Sequence, residues 1–137
     1  MTYKKTVQKS ISIVAVLLLT SLVGCSRNRV RRFGMVVGIK PEKIETYKEL
    51  HADDNAGVRD LLSKYNMHNF SIFLTEIEGK WYEFGYYEYT GNDYEGDMNK
   101  LAEEPRNIEW LKVCDPLQIP LKGEKSWKMM EQVYYNK

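Results

Sequence analysis

The chain has 137 residues, with 20 Lys+Arg against 19 Asp+Glu, a formal charge of +1 and only two cysteines. So even a balance argues against a nucleic-acid partner, which selects a strongly basic face, and two cysteines cannot build a disulfide framework. The length sets an expectation of one domain with a modest core.

Lys4, Lys5 and Lys9 precede an uncharged apolar run, Ile11 to Gly24 (ISIVAVLLLTSLVG). A basic start followed by an apolar run too short for a comfortable membrane span reads as an export signal. The run ends in Leu22-Val23-Gly24-Cys25, the pattern of a lipobox, in which only cysteine serves because its thiol receives the lipid. The expected organisation is a lipoprotein signal peptide over residues 1–24, a lipidated tether over 25–32 beginning at Cys25, and one domain over 33–137. Ser26 follows the cysteine instead of the Asp of an inner-membrane retention signal. The expected location is therefore a lipid anchor in a bacterial membrane, the outer one, facing the periplasm. The arginines of the tether read as a solvated linker. Loss of the three lysines leaves the mature chain slightly acidic, and Cys114 as its only other cysteine reads as an inert, half-buried thiol.

Phe33 to Ile39 (FGMVVGI) is a short apolar strand that stops at Lys40-Pro41, where proline suits the first turn of a helix. Ile44, Tyr47, Leu50 and His51 recur at helical spacing, as do Val58, Leu61, Leu62 and Tyr65. The polar, glycine-containing segment Asp53 to Gly57 between them predicts a break. Met67 to Ile77 predicts a strand, Glu78-Gly79-Lys80 a tight turn, and Trp81 to Tyr89 (WYEFGYYEY) an aromatic partner strand. Thr90 to Asp93 offers loop and cap residues for a helix over Tyr94 to Glu104, and Pro105 starts a second helical piece through Trp110 and Val113. Asp115 to Lys125 reads as a loop, and Ser126 to Tyr135 as a last strand.

The order β-α-β-β-α-β is the split βαβ, ferredoxin-like arrangement, an α+β sandwich with helices on one face of the sheet. Many of the tyrosines, with Trp81 and Trp127, fall on the strands, so the other face is expected to be aromatic. A second copy burying that face would give a symmetric homodimer of the dimeric α/β-barrel type, enclosing a cavity.

Tyr47 and His51 stand one helical turn apart, on one face, within reach of a common ligand. Histidine can give and take a proton near neutral pH, and a tyrosine hydroxyl can orient a ligand oxygen. Spacing alone favours a helix-surface or core-edge pair with no catalytic role. His51 and His68 are far apart and lack metal-ligand spacing, so neither a metal nor another cofactor is expected, and His68 reads as a structural hydrogen-bonding residue.

From Phe33 to Tyr135 the chain resembles the L-rhamnose mutarotase family. The resemblance is carried by Tyr47-Lys-Glu-Leu-His51, His68-Asn69-Phe70-Ser71-Ile72, Glu88-Tyr89-Thr90-Gly91-Asn92-Asp93, the Trp110 helix, Asp115-Pro116-Leu117-Gln118 and Met130-Glu131-Gln132-Val133-Tyr134. It implies that His51 is the proton donor and that Tyr47 contacts the sugar. The family's next contact, a tyrosine, is here Phe70, and its Trp-Trp pair is Trp110-Leu111. The Trp-Pro-Glu common after the histidine is replaced by Asn55-Ala56-Gly57. The acid is kept while the pocket wall is altered.

The resemblance thus implies a mutarotase that interconverts the anomers of a monosaccharide, L-rhamnose or another 6-deoxyhexose. The lost hydroxyl and lost tryptophan support an alternative, a non-catalytic sugar-binding or scaffold lipoprotein of the same fold. An antibiotic- or haem-handling monooxygenase is a third reading, on fold analogy alone.

Overall fold

The structure, a computed structural model, describes residues 30–137; the segment expected to be an export signal and Cys25 lie outside the described residues. Strand β1 (Arg31–Ile39) leads through a 3-10 turn at Pro41–Lys43 into helix α1 (Ile44–Leu50), and after a break into α2 (Arg59–Lys64). The hairpin β2 (Met67–Ile77) and β3 (Lys80–Tyr89) follows, then α3 (Tyr94–Glu103) and α4 (Pro105–Cys114). A second 3-10 turn precedes two short strands, β4 (Gln118–Ile119) and β5 (Lys128–Met130).

Local chemistry sets these boundaries. Glu78 and Gly79 turn the hairpin with φ of 51° and 74°, the doubly left-handed turn whose twist suits a two-residue hairpin. Asp93 caps α3 by accepting a hydrogen bond from the Gly96 amide at 3.1 Å. Glu104 is extended ahead of Pro105, so α3 ends there and α4 starts on the proline. The break between α1 and α2 is closed by Arg59, whose guanidinium donates to the carbonyls of His51 (2.9 Å), Ala52 (3.1 Å) and Asp53 (3.2 Å). It thereby satisfies acceptors left open at the end of α1.

The sheet is antiparallel in the order β2-β3-β1-β4, and β5 also pairs with β1. This is the spatial order of the split βαβ sandwich expected from the sequence. Its fourth strand differs from expectation. The segment read as a loop contains β4, paired to β1 at Gly38 and Ile39, while the last strand shrinks to three residues paired at Gly34 to Val36. Pro120 follows β4 and has no amide to donate, so the pairing stops and resumes only after the intervening loop.

Register puts Phe33, Met35, Val37 and Ile39 on the same face as Trp81, Glu83, Gly85, Tyr87 and Tyr89. Against that face the helices bury a core in two parts, one around Met35, Val58, Leu61, Met67, Tyr87 and Leu101, the other around Ile39, Ile44, Tyr47 and Leu117. Trp81 and Trp127 pack against these clusters, so the aromatic side chains are divided between the two faces and not gathered on the open one. The open face carries Val36, Tyr82, Phe84 and Phe73, with Phe73 63% exposed.

Candidate active site

Helix α1 is short and ends at the histidine. His51 is its C-cap, with φ −101° and ψ 7°, and its Nδ1 lies 2.9 Å from the Tyr47 carbonyl. A carbonyl only accepts, so Nδ1 carries the hydrogen and Nε2 is the nitrogen left for a ligand. The imidazole stacks on the Tyr47 ring at 4.1 Å and meets the edge of Trp110 at 5.2 Å. Burial lowers the His51 pKa against the raising effect of the Tyr47 carbonyl, with a smaller lowering from the Arg59 charge, which favours the neutral ring.

Trp110 reaches His51 because the loop opposite it has no side chain. At Gly57, φ is +50° and a Cβ would lie 3.3 Å from the indole ring. The Asn55 side chain fixes this turn by accepting from the Gly57 amide at 3.0 Å. On the sheet side, Phe70 stacks against Tyr87 at 5.7 Å. Tyr47, His51, Phe70, Trp110 and Leu111, the residues expected in the site, all border one cavity of about 670 Å³. That volume is in the range of small-molecule pockets, roughly 300–1,000 Å³. The cavity lies between the sheet and its own helices, inside one chain. The expected site residues therefore gather in a cavity within one chain, beside the break that follows α1 at His51.

Several cavity residues escaped sequence reading. Asn107 is buried one helical turn before Trp110, and Gln118 and Trp127 close the far wall. His68, expected to have a structural role, borders the cavity. Cys114 is buried at the cavity wall, and burial, then the Asp115 and Glu83 charges, push its thiol up to about 12. It stays a thiol, without nucleophilic character. Behind the wall, Glu83 is fully buried and accepts from Gln118 Nε2 at 2.7 Å. Among the described residues, no three His, Cys, Asp or Glu side chains are grouped to hold a metal ion.

The split βαβ sandwich thus sets an imidazole between a tyrosine and a tryptophan at the wall of a cavity of small-molecule size. Residues 32–136 match the sequence profile of a family described as L-rhamnose mutarotase. The chain belongs to the L-rhamnose mutarotase family, whose activity is a carbohydrate isomerisation. Similar curated proteins are the L-rhamnose mutarotases of Lactiplantibacillus plantarum, 31% identical over 63% of this chain and 78% of that protein, and of Oceanobacillus iheyensis, 30% identical over 64% and 80%. The crystal structure of an L-rhamnose mutarotase from Formosa agariphila has the same fold, with a TM-score of 0.59 at 17% identity over 78% of this chain and 99% of that one.

Proposed function

We propose that the chain interconverts the anomers of L-rhamnose or a related 6-deoxyhexose, with His51 carrying the proton. The observation that supports this most is the placement of the imidazole: Nδ1 engaged by the Tyr47 carbonyl, leaving Nε2 for a ligand, at the wall of a sugar-sized cavity. In this mechanism Nε2 takes the hydrogen of the anomeric hydroxyl and the resulting imidazolium gives it to the ring oxygen. The C1–O5 bond breaks, leaving an aldehyde at C1 and a hydroxyl at C5. Rotation of the aldehyde and reversal of both proton transfers close the ring on the other face. Trp110 and Phe70 pack on the C–H face of the sugar. Exchange between anomers, followed by NMR over a panel of hexoses and deoxyhexoses, tests the proposal.

A second reading, a sugar-binding lipoprotein without catalysis, draws on Phe70, which has no hydroxyl, and on Leu111, which is 41% exposed at the cavity margin. Binding without exchange would select it. We also propose that the domain is held at the periplasmic face of the outer membrane by lipid on Cys25, on the strength of the lipobox. Loss of palmitate labelling in Cys25→Ala tests this. The open sheet face, with Phe73 and Ile77 exposed, supports a homodimer formed through it.

A further inference from the structure

The inward face of β3 is apolar except at one position. Glu83 stands between Val37 on β1 and Leu74 on β2, with no exposed surface. Among the described residues its carboxylate is held on one side only, where Gln118 Nε2 donates to Oε2 at 2.7 Å, while Oε1 has no hydrogen-bond partner. An acid in the centre of a sheet is costly, and an unmatched oxygen there needs a donor. The Tyr47 hydroxyl lies near enough to favour the charged form of Glu83, but no hydrogen bond joins it to Oε1 in this structure. The same tyrosine borders the cavity and carries the His51 ring stacked on its own.

We propose that Glu83 is a positioning residue of this site, taking the hydrogen of the Tyr47 hydroxyl so that the tyrosine offers its oxygen lone pairs, and not its hydrogen, to the sugar in the cavity. A phenol has one hydrogen. Committed to a carboxylate behind it, the hydroxyl can only accept from a ligand in front, and a sugar hydroxyl supplies that hydrogen. Protonated Glu83 would reverse the arrangement, donating to the tyrosine and turning the Tyr47 hydrogen towards the ligand. Burial raises the Glu83 pKa to about 7, against the favourable contacts of Gln118 and Tyr47, so both states are accessible near neutral pH. The titratable groups facing the carboxyl are Tyr47 from α1 and Cys114 from α4; Gln118 on β4 and the flanking strand residues Val37 and Leu74 carry no charge. Burial, then the Glu83 charge, raises the tyrosine pKa, and the thiol is raised too, so neither ionises in this range.

The role assigned to Glu83 rests on the mutarotase reading, and two measurements separate them. The first follows the Glu83 side-chain carboxyl by carbon NMR against pH in the wild type and in Tyr47→Phe. Removal of the phenolic donor should raise the midpoint; an unchanged or lowered midpoint overturns the proposal, whether or not the protein exchanges anomers. The second compares pH–rate profiles. The wild-type rate should fall on the acid side in two ionisations, one near 7 from Glu83 and one lower from His51. Glu83→Gln should keep only the lower one, with a reduced plateau above pH 8. A Glu83→Gln profile that superimposes on the wild type after scaling overturns the role of Glu83 while leaving the mutarotase reading intact. A raised midpoint in a protein that exchanges no sugar refutes the mutarotase reading and leaves the Glu83–Tyr47 hydrogen bond standing.

Discussion

Replacing Glu83 by Gln should remove a pH dependence from the stability of the domain. In the unfolded chain this carboxyl titrates at its ordinary value, whereas in the fold burial lifts it from 4.5 to about 7. The folded state therefore holds the proton more tightly, and the stability this confers is complete below the unfolded pKa and lost as pH rises through the folded one. The interval corresponds to roughly 3 kcal/mol as an upper value, at about 1.4 kcal/mol per pKa unit. Glutamine keeps the shape and the acceptor for Gln118 but cannot ionise. Denaturant unfolding of the two proteins at intervals from pH 4 to pH 8 measures the difference, and other ionisations, including that of His51, cancel between them to first order. The stability of the variant relative to the wild type should rise across pH 4.5 to 7 and level above it. Parallel curves would refute the buried, proton-holding environment on which this reasoning stands.

Gly57→Ala should destabilise the fold by about 1–2 kcal/mol, because the left-handed backbone disfavours a Cβ and the new methyl meets Trp110 at 3.3 Å; thermal melting and a weakened sugar affinity would both report it. Arg59→Ala removes a positive charge that depresses His51 and frees the carbonyls of residues 51–53, so the His51 midpoint in proton NMR should move up. The proposed homodimer predicts that the domain lacking residues 1–29 sediments as a dimer and that Phe73→Asp, on the open sheet face, sediments as a monomer without loss of the folded signal in circular dichroism.

The elements from β1 to α4 were legible because each boundary is written locally: Lys40-Pro41, the polar break before Arg59, Glu78-Gly79, the Asp93 cap and Pro105. The fourth strand was not. It is two fragments of two and three residues whose only reason to be extended is the free edge of β1, and such short pieces carry no alternation. In the site, the one-turn spacing of Tyr47 and His51 could be read directly, but the convergence of Phe70, Trp110 and Leu111 on the same cavity followed only from the family resemblance. Glu83 was hidden by its neighbours. In Trp81 to Tyr89 aromatic residues occupy both parities, so the pattern does not say which face is inward, and a glutamate there reads as a solvent-facing residue. The cavity within one chain was not legible either, because it depends on where α1 ends and how Trp110 meets Gly57, not on any strand pattern.

The most direct test of the account is the rate of L-rhamnose anomer exchange, measured by NMR magnetisation transfer, in the wild type and in His51→Ala. Removing a positioned acid–base group costs about 10²- to 10⁴-fold. The account predicts exchange well above the spontaneous rate in the wild type and its collapse to that rate in the variant, with sugar binding and the melting temperature little changed. Undiminished exchange in His51→Ala, or no enhancement by the wild type with any deoxyhexose, would contradict it.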